Sequence, residues 1–504
     1  MMSLRIPFLA ALVLALAPAS MLRAEPAASA LPSVASIVRV NSTNQAYNFV
    51  RPWTKRSPFD RRGIGVVIDG GRILVTAEVI ANHNFVELER PANSEKVTAT
   101  VEFVDYESNL AILKPSDPKF LDGTQPVSLA KDVKVGAKVN VAQLEPTGAL
   151  ALTPATITTI SVNRYPVDSI SLLTYRISAP LQYRDYSFTL PVFLGDRLAG
   201  LLMRYDSRSQ SADLVPYAVI TNFLDRVARK PYQGFPRAGL TFSPTRDPQF
   251  RRYLGLKAGQ SGVYIASVLH GSPAEKAGLR KGDVLMQVDG EPLDQDGNYD
   301  DPTFGKIPFG HLISTASLPG GTLALHVLRD GKEVKLDLPL EPRDPASVIS
   351  EPAIFDRAPR YYILGGLVFQ ELSQPYLREW GVNWKSDAPA RLVYLDEFQD
   401  ELPADQGKIV FLSQVLPADT TLGYDDVEGG IVKKVNGRPI HNLNDLAAAA
   451  EHPVNGFDEI DLESDPGVLY LDAQQVKASE SRLRDSYGLP SLNNLDDPAT
   501  QPAK

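Results

Sequence analysis

The 504-residue chain contains no cysteine. This excludes disulfides, a thiolate nucleophile and every cysteine-ligated metal site. A chain this long can still build cores that stand without covalent staples, and at ~100–200 residues per domain it should hold about three domains. Histidine is scarce: six residues, scattered without metal-ligand spacing, so no metal is expected, nor any cofactor. Positive charge is not in excess. The formal net charge of −9 argues against nucleic acid or an anionic membrane as a partner. Beyond the first thirty residues no run is long and apolar enough to span a bilayer.

The first thirty residues have a three-part layout. Met1–Arg5 is short and basic, Ile6–Ala17 is apolar, and small residues follow Pro18, with Ala28-Ser29-Ala30 fit for signal peptidase. The apolar run falls short of the ~20 residues a spanning helix needs, which favours a cleaved signal over an anchor. The expected location is outside the cytoplasm: periplasmic in a Gram-negative bacterium, secreted otherwise.

Residues 31–62 are polar and irregular and read as an N-terminal arm. Residues 63–232 hold many short strands at regular spacing, beginning with a hairpin across Asp69-Gly70-Gly71, which suggests an all-β barrel or sandwich. An amphipathic helix over Leu214–Val227 closes this part. A second unit covers 236–342, with helices at Ser272–Ala277 and Pro308–Ser317. A proline-rich linker follows over 343–360, then a third unit over 361–475 and a polar tail, partly disordered, over 476–504. The third unit echoes the second. Val268 and Val288-Asp289-Gly290 recur at the same interval as Val415 and Val435-Asn436-Gly437, which suggests a duplicated fold.

These parts, in this order, resemble the HtrA/Deg proteases. Gly65-Val66-Val67-Ile68, Ile73-Leu74-Val75-Thr76-Ala77, Asn109-Leu110-Ala111-Ile112-Leu113-Lys114 and Leu190-Pro191-Val192-Phe193 are similar to their trypsin-like domain. Gly271-Ser272-Pro273-Ala274-Glu275-Lys276-Ala277-Gly278-Leu279 with Lys281-Gly282-Asp283-Val284-Leu285 looks like their PDZ domain. Ile307-Pro308-Phe309, Tyr361-Tyr362-Ile363 and Gly366-Leu367-Val368-Phe369 resemble the plant Deg proteases, whose second PDZ domain is atypical. The resemblance implies a mainly β architecture, a double β-barrel followed by two PDZ-like α+β domains, in a trimer or larger homo-oligomer.

A serine protease needs a hydroxyl to attack, an imidazole to take its proton and a carboxylate to orient the imidazole. Carried over motif by motif, the resemblance places Glu78 where the histidine belongs, Asn109 where the aspartate belongs and Phe188 where the serine belongs. Tyr186 replaces an oxyanion-loop glycine; Thr189 and Leu190 replace the two glycines after the serine. Ser187 is one residue off register and His83 five residues off. The expected reading is an inactive protease that binds peptides or protein C-termini. The alternatives are an active endopeptidase with a rearranged site and a structural oligomer with no peptide ligand.

PDZ domains take an extended peptide as an added strand, with its terminal carboxylate held by backbone N–H groups. By resemblance, Tyr253-Leu254-Gly255-Leu256 is the expected carboxylate loop, Val263 and Ile265 mark the strand, Phe309 and Leu312 the groove wall, and Arg251 and Arg252 could steer a carboxylate. Asp294–Asp301 resembles a calcium loop, but its glycine is not sixth and no glutamate stands twelfth; it reads as an acidic surface loop.

Overall fold

The computed structural model describes residues 34–496 apart from 92, 146, 168–169, 182–188, 345–346 and 404. The first barrel is built from β1 (Ile37–Asn44), β2 (Phe59–Ile68), β3 (Arg72–Val75), the one-turn helix α1 (Ala77–Ile80), β4 (His83–Glu89), β5 (Lys96–Asp105) and β6 (Leu110–Pro115). It closes in the order β1-β2-β3-β6-β5-β4. The second barrel uses β7 (Lys138–Leu144), β8 (Leu150–Arg164), β9 (Ser171–Ser178), β10 (Pro191–Leu194), β11 (Arg197–Asp206) and β12 (Ser211–Pro216), closed as β10-β11-β12-β9-β8-β7. Closure leaves neither barrel with an unpaired edge. Their inward rows of Val, Ile and Leu are fully buried, from Val40, Ile64 and Leu74 to Leu201 and Leu214.

Two boundaries in the barrels differ from the sequence reading. The polar stretch 31–62 is not a free arm: β1 lies inside it and pairs along its whole length with β2, Ile37 opposite Val66 and Asn44 opposite Phe59. Its polar residues hid the strand, because Arg39, Ser42 and Asn44 are polar yet buried. The helix at the end of the barrels, α2, covers Tyr217–Val227, because Leu214 and Val215 belong to β12. Pro216 ends that strand and caps the helix in extended conformation.

The second unit has β13 (Leu240–Ser243), α3 (Pro248–Tyr253), β14 (Val263–Val268), α4 (Pro273–Lys276), β15 (Val284–Val288), β16 (Glu291–Pro292), the hairpin β17 (Asn298–Asp301) and β18 (Gly305–Pro308), α5 (Gly310–Ser314), β19 (Thr322–Arg329) and β20 (Lys332–Pro339). Its sheet runs β13-β14-β15-β19-β20. Ser272 caps α4 by accepting the Glu275 N–H. The helix expected over 308–317 is only one and a half turns, since Ile307 and Pro308 complete the hairpin before it. The acidic loop ahead of that hairpin is neutralised by Lys306 on Asp294 and Arg246 on Asp296.

The third unit has β21 (Tyr361–Leu364), β22 (Leu367–Glu371), α6 (Gln374–Leu377), α7 (Trp384–Asp387), α8 (Ala390–Glu397), β23 (Val410–Val415), β24 (Val432–Val435), β25 (Arg438–Pro439), α9 (Leu443–Ala450), β26 (Phe457–Leu462), β27 (Val468–Asp472), α10 (Ala473–Tyr487) and β28 (Asn493–Asn494). The echo seen in the sequence is a structural repeat. β14 corresponds to β23, and the β15–β16 turn at Asp289-Gly290 corresponds to the β24–β25 turn at Asn436-Gly437. All four turn residues have positive φ, 52° and 84° in one, 51° and 76° in the other, which is why Asp or Asn precedes Gly in both. The tail expected to be partly disordered from 476 is folded through residue 496: Val476 and Leu483 of α10 are buried, and β28 pairs with β21. Spacing alone hid this, because α10 is polar on most of its surface.

The loop between β1 and β2 reaches across to the third unit. Phe49 packs beside Leu372 and Phe411, its carbonyl accepts from Gln370 Nε2 at 3.0 Å, and Trp53 meets Tyr361 edge-on at 5.9 Å. Phe49→Ala should cost about 1–2 kcal/mol, the value of a partly buried aromatic, read as a lower urea midpoint; an unchanged midpoint would show that this loop does not anchor the third unit.

Candidate functional site

The first candidate site lies where β3, α1 and the β5–β6 turn meet. Thr76, extended, opens α1, so Glu78 is its second residue. A helix start leaves four N–H groups without intrahelical partners. Asn109 supplies two acceptors: its carbonyl takes the Ala77 N–H at 3.1 Å and its Oδ1 takes the Glu78 N–H at 3.0 Å. Asn109 is fully buried and sits at φ 55°, a left-handed conformation that asparagine tolerates better than most residues. Among the described residues its Nδ2 finds no hydrogen-bond partner.

Glu78 and Asn109 therefore converge, but as cap and capped backbone. Burial raises the Glu78 carboxyl above its ordinary pKa, against the opposing pull of Arg61 and Arg204. The Arg61 guanidinium donates to the Glu78 carbonyl. Tyr186, Ser187 and Phe188 lie outside the described residues. The chain re-emerges at Thr189, whose carbonyl accepts the Ile64 N–H at 3.1 Å. Thr189 also fills the space beside Gly63: a Cβ added there would stand 2.4 Å from Thr189 Cγ2 and 3.2 Å from Val79 Cγ2. The strand that follows position 188 thus runs against the same turn as Glu78.

His83 is the sole imidazole of the two barrels; the other five histidines begin at His270. It opens β4 rather than sitting on a loop. Its Nδ1 lies 2.9 Å from the Ile80 carbonyl and 3.9 Å from Asp356.

Next to Asn109, the Asp105–Ser108 turn is a dense polar knot. Asp105 is buried and accepts from Tyr232 at 2.6 Å and Ser108 Oγ at 2.7 Å. Burial and the neighbouring Glu107 push its pKa up to about 6.

The second candidate site is the peptide groove of the second unit, and here the sequence placed the residues wrongly. β14, carrying Val263 and Ile265, is an inner strand with β13 on one side and β15 on the other. Its backbone is already paired, Ile265 with Phe242 of β13 and Val263 with Leu285 of β15, so β14 offers no free edge to an added peptide. The free edge is β13. Tyr253-Leu254-Gly255-Leu256 ends α3 and lies away from it: a Cβ added at Gly255 would meet Gly331 at 3.9 Å, in the turn joining β19 to β20 at the opposite edge of the sheet. Tyr253 is 85% exposed. Arg251 is not available to steer a carboxylate, because it donates to the Thr245 and Gln260 carbonyls. The same apolar–Gly–apolar pattern stands at Ala238-Gly239-Leu240, which leads directly into the edge strand. Gly239 gives its carbonyl to Leu269 N–H, and strand alternation then turns the Leu240 backbone groups outward. Phe309 belongs to this end of the domain, buried and 5.1 Å from the Phe242 ring of β13. Leu312 is half-buried in the same core. The α5 helix is also docked on the second barrel: Ser314 Oγ donates to the Ser171 carbonyl, and the Thr315 carbonyl accepts from Asn222.

The third unit has no such edge. β22 occupies the position of β13, and its outer side is already paired with β21, Tyr361 opposite Gln370 and Leu364 opposite Leu367. α9, the counterpart of α5, packs over both strands, with Leu443 and Leu446 against Leu364 and Leu367. The place of a bound peptide is filled by the chain itself.

Comparison with known proteins agrees with this architecture. Residues 236–340 and 351–496 each match the PDZ domain family; the second match begins and ends outside the limits 361–475 read from the sequence. Protease Do-like 4, mitochondrial, from Arabidopsis thaliana is 26% identical over 468 residues, 92% of this chain and 86% of that protein. Protease Do-like 2, chloroplastic, from the same plant is 26% identical over 473 residues, 92% and 75% of the two chains.

Because the Asp105 carboxyl is raised in the folded state, folding binds extra protons between about pH 4 and about pH 6. Stability from this group is full below that window and declines as pH rises through it. Asp105→Asn should flatten that decline in urea melts taken from pH 4 to 7; an unaltered slope would rule out Asp105 as its source.

Proposed function

From a chain of HtrA/Deg type, with a trypsin-like double barrel and two PDZ domains arranged as in the plant Do-like proteases, we propose a non-catalytic protein that binds peptides or protein C-termini at its first PDZ domain. The observation that carries this reading is the fate of the base. A general base must lie within hydrogen-bond reach of its nucleophile. Glu78 stands at the histidine position of the motif, and the one imidazole of the barrels, His83, faces the Ile80 carbonyl and Asp356. Asn109 spends its side-chain oxygen on α1. Loss of such a triad lowers turnover roughly a millionfold. The apolar leader supports export to the periplasm or beyond, and the family likeness supports a homo-oligomer of three or more copies; both belong to a role in protein quality control or in regulating active relatives.

The β13 edge supports strand addition as the binding mode, in which backbone hydrogen bonds give affinity. The purified protein should leave β-casein intact and resist labelling by a fluorophosphonate serine probe; cleavage lost in a Ser187→Ala variant would establish the active-protease alternative instead. A fluorescent library of C-terminal peptides should yield binders that are lost on amidation of the peptide terminus. Leu240→Pro, checked for an unchanged melting profile, should abolish that binding, and Tyr253→Ala should not. A library with no binder would favour a structural oligomer.

A further inference from the structure

The turn Asp105–Asn109 is gripped from two sides by two different connectors. The segment between α2 and the first PDZ domain takes one side. Tyr232 donates to Asp105 at 2.6 Å, Arg237 pairs with Glu107 at 2.7 Å, and the Phe235 N–H reaches the other Glu107 oxygen at 3.3 Å. The Phe235 ring is held in turn by the Arg226 guanidinium, 4.0 Å from its centroid. The segment between the sheets of the two PDZ domains, residues 341–360, takes the other side. The Phe355 ring stacks on Tyr106 at 4.4 Å, and the Tyr106 hydroxyl donates to Asp356.

Asp356 makes a second contact of unusual form. Its Oδ1 accepts the Asn82 N–H at 2.7 Å, and the Asn82 Oδ1 accepts the Asp356 N–H at 2.9 Å. Both residues have φ 58°. Left-handed backbone at a non-glycine residue persists only where its surroundings enforce it, and here each of the two strained residues satisfies the other. Asn82 lies two residues after α1, so the connector between the PDZ domains touches both the segment carrying Glu78 and the turn carrying Asn109.

We propose that the Asp105–Asn109 turn is a coupling joint: the connectors on either side of the first PDZ domain bind it together, so that displacing one loosens the other. The turn is five residues long, and adjacent members of it serve opposite connectors, Asp105 and Glu107 one, Tyr106 the other. A shift of the first PDZ domain would then be felt at Phe355–Asp356 through the turn, in addition to the direct backbone bond between the connectors from the Arg237 N–H to the Glu341 carbonyl at 3.1 Å. By linkage the effect must run equally in both directions.

Hydrogen–deuterium exchange on the full-length protein tests this. Arg237→Ala should speed exchange roughly tenfold at residues 354–358, and Asp356→Ala should do the same at residues 232–237, the size expected for losing one charge-assisted hydrogen bond. Tyr106→Phe, which keeps the ring stack and removes only the hydroxyl, should give the same pattern more weakly and covers the case in which a larger change fails to fold. Peptides from β11 should be unaffected in all three. Effects confined in each variant to the connector that was altered would overturn the proposal.

Discussion

Two oxygen atoms of Asn109 hold the start of α1, and much of the surrounding order follows from them. A one-turn helix has almost no internal hydrogen bonding, so its position depends on whatever satisfies its first N–H groups. Asn109 can do so only with its backbone left-handed, which fixes the direction in which the chain enters β6 and, backwards, the shape of the turn from Asp105. Gly63 is small because Thr189 must pass beside the same helix. The polar knot around Asp105 and the docking of both connectors are built on that turn. Asn109 is in this way a piece of backbone architecture.

The order of domains was legible because it rests on dense local signals: hairpin turns at Asp69-Gly70-Gly71 and Asp330-Gly331, the capped α4, and the repeated Val–Asp/Asn–Gly turn. Those features depend on neighbours in sequence. The elements that were misread depend on partners far along the chain. β1 looks like coil because it is polar even at buried positions, Arg39, Ser42 and Asn44, and α10 looks like a tail because only Val476 and Leu483 mark its buried side. The convergence of Glu78 with Asn109 could be anticipated from spacing against a known motif. The docking of Phe355–Asp356 on Asn82 and Tyr106 could not, since nothing local distinguishes that stretch of a proline-rich linker.

The groove shows how a correct rule can be applied to the wrong residues. An apolar–Gly–apolar motif ahead of a strand is required, and the chain offers several. The deciding information is sheet order, which makes β13 the edge and buries β14 between two neighbours. Once that is known, the roles of nearby residues change together. Arg251 becomes a brace for a loop, while the half-buried Leu240 turns its backbone groups to the open edge. The duplicated unit then gives a direct comparison, because the same edge in the third unit is covered by β21.

That covered edge has a kinetic and evolutionary meaning. β21 is joined to β22 by two residues, Gly365 and Gly366, so it competes for the edge as a tethered ligand, at an effective concentration in the millimolar range or above. A free peptide of equal intrinsic affinity, present at micromolar concentration, would lose that competition by a factor of about a thousand. The third unit is thereby insulated from the pool of peptide termini around it. The repeat has left the chain with one domain whose edge strand is open and one whose corresponding strand is paired within its own sheet.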